Sequence, residues 1–110
     1  MNIDELVNSI QQVALRGQLF QWVKEWKDAK ADVEDLSKML LKWHGNVWFQ
    51  NKGESTEFLN QLNDFNVNAI DGLSELTLNE RLYWFGLFEY WDCSDENDQN
   101  IIRRKLHANA

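Results

Sequence analysis

Apolar residues recur three and four positions apart along most of this chain, and the chain contains no proline. A helix buries one stripe per 3.6-residue turn, so this spacing is the signature of amphipathic helices. Proline would end a helix by removing a donor and clashing with the preceding turn. Without it, breaks must come from Gly, Asn and Asp. Five glycines punctuate the 110 residues: Gly17, Gly45, Gly53, Gly72 and Gly86. The expected fold is therefore all-α.

The periodicity predicts five to six helices. The first spans about Asp4–Arg16, with Ile3, Leu6, Ile10, Val13 and Ala14 as its stripe and Gly17 as its stop. The second spans about Gln18–Ala29, with Leu19, Trp22, Val23 and Trp26 on one face. The third starts at Asp32, a good N-cap, and carries Val33, Leu36, Leu40 and Trp43 up to His44-Gly45. Asn46–Glu54 reads as a loop or short hairpin, followed by a fourth helix over Ser55–Phe65. Asn66–Glu75 mixes Val67, Ile70 and Leu73 with turn residues and predicts a short helical turn. Thr77-Leu78-Asn79-Glu80 fits a capping box, in which the Thr hydroxyl and Glu carboxylate reciprocally satisfy backbone amides. It opens a central helix over about 78–91. Its middle, Leu82–Phe88, is apolar nearly all round, so this helix is expected to be enclosed. Gly86 within it implies close approach of a neighbour. A last helix from Ser94 or Asp95 brings Ile101, Ile102 and Leu106 to the core and places Arg103, Arg104 and Lys105 at its negative end.

The chain length suits one domain, 1–110. Six Trp supply large buried areas, so the core is expected to be Trp-rich and to need no staples. The one cysteine, Cys93, cannot form an internal disulfide, and a reducing, cytoplasmic compartment is expected. The N-terminus lacks a basic region followed by an apolar run, so no secretory leader is expected, and no segment is long enough to span a bilayer.

The net charge of −7 is unevenly distributed. Residues 1–52 carry seven acids and seven bases, residues 53–100 carry eleven acids and only Arg81, and residues 101–110 carry three bases. A segment at −10 repels nucleic acid and anionic membrane and attracts basic protein.

The inventory does not point to catalysis. Two His (His44 and His107) and one Cys cannot build a zinc site of standard spacing. The acidic run from Asp92 is not a calcium loop, because its sixth position is Asn97 and its twelfth Arg103. Cys93 lies among acids that disfavour a thiolate, which fits an inert, half-buried thiol. No phosphate-binding glycine loop or nucleophile elbow occurs. A non-enzyme without metal or cofactor is expected.

Two features suggest binding. Glu89, Asp92, Asp95, Glu96 and Asp98 place five acids within ten residues, with no base among them. Helix-start electrostatics explain Asp95 and Glu96 but not the rest. Trp48 lies in a predicted loop beside Phe49, where an exposed indole could anchor a partner.

In size, charge and helical content, and in the stretch Leu76–Trp91 (LTLNERLYWFGLFEYW), the chain resembles the small acidic immunity proteins of bacterial toxin–immunity systems, of the colicin and contact-dependent growth-inhibition types. The resemblance is one of type and carries no residue roles. It implies a bacterial cytoplasmic protein that binds a cognate toxin domain, often a basic nuclease, and blocks it. A nucleic-acid-mimic inhibitor and a helical adaptor using Trp48 are the alternatives.

Overall fold

The computed structural model describes residues 1–108. Among them every regular element is helical: α1 Ile3–Asn8, α2 Val13–Asp28, α3 Val33–Asn46, α4 Lys52–Phe65, α5 Leu78–Trp84, α6 Phe88–Asp92 and α7 Glu96–Lys105. The α4 helix continues into a π-helical turn, Asn66–Asp71, and a 3₁₀ turn follows at Leu73–Glu75. The helices enclose one apolar core to which Trp26, Trp43, Phe58, Phe65 and Phe85 contribute, with edge-on ring pairs such as Trp43–Phe58 and Phe65–Phe85. No described helix is long and apolar enough to cross a membrane.

Local capping explains several starts. Asp32 accepts from the Asp35 amide and Thr77 from the Glu80 amide, each in a complete capping box. Asn51 accepts from the Gly53 and Glu54 amides, so α4 begins three residues ahead of Ser55.

The expected first helix is two helices. The chain breaks at Ser9–Gln12, and α2 then runs straight through Gly17. The break is held from a distance: the Gln11 and Gln12 amides both donate to Glu54 Oε1 on α4, at 2.7 and 3.2 Å. Ile3, Leu6 and Ile10 are buried, but Val13, just beyond the break, is 69% exposed and Ala14 is exposed too.

The central helix expected over 78–91 is also divided, into α5 and α6. Gly86 adopts φ +64° and its amide donates to Tyr83 O, while the Leu87 amide donates to Leu82 O. This is a Schellman turn, with Gly86 at the left-handed position and buried Leu87 closing over the end of α5. A Cβ on Gly86 would lie 2.2 Å from Asp4 Oδ2 and 2.8 Å from Lys27 Nζ, so the close approach comes from side chains of α1 and α2. Trp22, Trp84 and Trp91 are half-buried against the core and not enclosed in it, and of the two expected isoleucine contacts of α7, Ile102 is buried and Ile101 half-buried.

Candidate functional site

The acidic run spans α6, the turn that follows it and the start of α7. Glu89 and Asp92 lie on α6, Asp95 caps α7 by accepting from the Asp98 amide at 2.8 Å, and Glu96 and Asp98 occupy the first turn of α7. All five side chains are exposed, and none takes part in an ion pair among the described residues. Asp95 therefore has a structural role, and the other four carboxylates stand free of such pairing. Cys93, in the turn between these helices, is exposed and not half-buried as its sequence context suggests.

Three nearby cations make other contacts, while Lys24 is exposed beside Glu89. Arg81, the one base of residues 53–100, donates through Nε to Leu76 O and through Nη1 to Leu106 O and His107 O, at 2.8–3.1 Å. It closes the carbonyl end of α7. Arg103 lies over the Trp91 ring, 5.2 Å from its centroid.

Lys105 is only 2% exposed. Its Nζ donates to Trp26 O, Ala29 O and Ala31 O at 2.5–2.7 Å and sits 4.1 Å from the Trp26 ring centroid. One ammonium thus satisfies backbone acceptors at and beyond the end of α2 and ties α7 to them. Burial pushes its pKa down to about 8, against the opposing pull of Asp32, Asp35 and Asp28. The sequence grouped Lys105 with Arg103 and Arg104 as last-turn cations at the negative end of the helix; the structure keeps that position and adds that Lys105 turns inward. The signal was its spacing: Ile102, Lys105 and Leu106 share one helix face.

Two further links hold the α6–α7 segment. The Tyr90 hydroxyl donates to Asp28 Oδ1 at 2.8 Å, and burial first, then Asp28, pushes the phenol up to about 12. His107 Nε2 meets Asp32 Oδ2 at 2.9 Å, which holds the Asp32 carboxyl below its usual range. His107 itself adopts φ +56°, and the Ala108 amide donates to Arg103 O in a second Schellman turn. A side chain at this left-handed position costs of order 1–2 kcal/mol, and Asp32 and Arg81 hold it there.

Trp48 is not part of this segment. It lies in the α3–α4 loop, where the Gln50 amide donates to Gln12 Oε1 at the start of α2. The acids adjoin the far end of α2 through Tyr90 and Asp28. That helix has 16 residues and so spans about 24 Å. The loop divides its two aromatics: Phe49 is buried against Trp43 and Phe58, while Trp48 is 82% exposed.

No three His, Cys, Asp or Glu side chains converge as a metal site among the described residues. His44 stacks on Phe58 and lies 3.4 Å from the Ser55 hydroxyl, and His107 is bonded to Asp32, so the contacts of both imidazoles lie with groups other than Cys93. No known protein family, curated protein or solved structure matches this chain.

Proposed function

We propose that this protein is an immunity-type inhibitor whose α6–α7 segment captures a basic toxin domain, a nuclease being the best fit. The observation that carries the reading is the exposed set Glu89, Asp92, Glu96 and Asp98, free of ion pairs among the described residues while Arg81 and Lys105 are bound to backbone carbonyls and Arg103 lies over the Trp91 ring. Crowded like charges repel, and a cationic partner would relieve that repulsion. Nucleases hold phosphates with Lys and Arg, and carboxylates can occupy the same positions. The acidic field would also steer encounter, raising association towards about 10⁸–10⁹ M⁻¹s⁻¹ at low salt.

The test is a panel of purified basic nuclease toxin domains, titrated calorimetrically and assayed for nuclease inhibition. Stoichiometric inhibition of one member is expected, with affinity falling as salt rises. The variant Glu89→Lys with Glu96→Lys should remain folded, at a cost of no more than about 1 kcal/mol per helix start, and lose at least tenfold in affinity. Absence of binding to every member at low salt would remove the proposal's support. Equal binding of all members, in competition with DNA, would favour a nucleic-acid mimic instead.

A further inference from the structure

Trp48 is the most exposed of the large apolar side chains and is presented on a fixed loop. Phe49 locks one side of the loop into the Trp43–Phe58 cluster, the Gln50 amide is bonded to Gln12, and Asn51 caps α4. The backbone that presents the indole is therefore fixed on the side that follows it, so the loop has little to order on binding. Beyond Asp35, the charged side chains of α3 and of the loop itself are all cations, while Glu54 at the start of α4 is taken up by the Gln11 and Gln12 amides. From Leu36 to Gly53 there is no Asp or Glu, while Lys38, Lys42 and Lys52 are all exposed. The α6–α7 acids adjoin the other end of α2, beyond a Debye length of about 8–10 Å.

The same molecule carries a matching receptor. A groove of about 370 Å³ lies between α1, α2 and α6, with Val7, Phe20, Val23 and Tyr90 as its apolar lining and with the paired Asp4 and Lys27, Asn8, Lys24 and Glu89 at its polar sides. Phe20 on its rim is 57% exposed, and Phe88 beside Glu89 is 41% exposed. The volume suits an indole against the apolar side chains. Glu89 and the neighbouring Asp92 offer carboxylates to a cation beside it. Trp48 is not seated in its own groove: it is 82% exposed and is not among the groove's lining residues.

We infer that the protein self-associates head to tail, with Trp48 of one copy seated in the α1–α2–α6 groove of the next and Lys42 or Lys52 against Glu89 and Asp92. Such a contact is heterologous, so it propagates into short chains or closes into a ring. The small knob-and-groove contact makes it a weak, concentration-dependent association. It goes beyond the toxin-binding reading and needs no toxin, but it shares Glu89, so a basic partner at the acidic run would disperse the oligomer.

Sedimentation equilibrium between about 1 μM and 1 mM, the range of weak contacts, tests it. Wild type should rise above monomer mass with concentration and fall back with added salt. Trp48→Ala and Phe20→Glu should each remain monomeric, with unchanged far-ultraviolet dichroism, yet form a 1:1 heterodimer when mixed, because each retains one intact half of the contact. Lys42→Glu with Lys52→Glu keeps the indole and should also be monomeric at low salt. The inference is overturned if wild type stays monomeric throughout, if Trp48→Ala associates like wild type, or if the mixture remains monomeric. Binding of a monomeric wild type, but not Trp48→Ala, to phosphatidylserine vesicles would assign the indole to a lipid surface and overturn it as well.

Discussion

The two ends of α2 are closed by opposite charges supplied from elsewhere in the chain. At the start, Glu54 on α4 accepts from the Gln11 and Gln12 amides. At and beyond the finish, Lys105 on α7 donates to three carbonyls. Both signs suit the helix dipole, which is positive at its start and negative at its end. The difference lies in burial. Glu54 is half-buried, so water can replace part of what it does. Lys105 is enclosed, so nothing replaces it. Long-range capping by a buried group carries far more of the fold than the same device at the surface.

The largest effect should come from breaking the buried end. Lys105→Met leaves three backbone acceptors without their ammonium, and a loss of about 3 kcal/mol in denaturant-unfolding stability is expected. The pH dependence adds a signed test. The folded Lys105 loses its proton near pH 8, ahead of the unfolded chain at about 10.5. Between these values the unfolded state binds more protons, so this group's contribution to stability rises with pH. The stability difference between wild type and Lys105→Met should therefore widen from pH 8 to 10.5, and a difference that narrows would contradict the buried geometry.

A smaller effect should come from the turn that packs against the ion pair near the same end. Gly86→Ala imposes a left-handed conformation on alanine and drives its Cβ into Asp4, which is paired with Lys27 at 2.7 Å. We expect about 2 kcal/mol of destabilisation by thermal unfolding. The smallest belongs to the exposed end. Glu54→Gln should cost about 1 kcal/mol, as loss of a helix cap does, because the amide oxygen and water retain part of the bonding. A Glu54 loss as large as that of Lys105 would erase the contrast between the two ends.

Much of this fold is legible in the residues themselves. The capping boxes at Asp32 and Thr77, the stripe Val33–Leu36–Leu40–Trp43 and the helical class follow from nearest-neighbour chemistry. The breaks at Ser9–Gln12 and Gly86 do not. Gly86 carried a usable signal, since apolar Leu82 and Leu87 flank it at Schellman spacing, but the unbroken apolar run made a continuous helix equally consistent. The first break had no local signal, because its cap is a carboxylate some forty residues away. The acidic cluster is similarly divided: its composition is plain in the sequence, while its freedom from ion pairs depends on where Arg81, Arg103 and Lys105 point.

The sequence by itself determined what is set within a turn or two of helix: which stretches are helical, where the caps at Asp32 and Thr77 lie, and that residues 53–100 are strongly acidic. Only the tertiary structure decided which charges remain exposed. A cation beside an acidic run can neutralise it, cap a distant helix or stack on a ring, and the choice turns on groups brought close by folding. Here it sent Lys105 inward, spread Arg81 over carbonyls and left the α6–α7 carboxylates facing water at one end of α2, with Trp48 at the other.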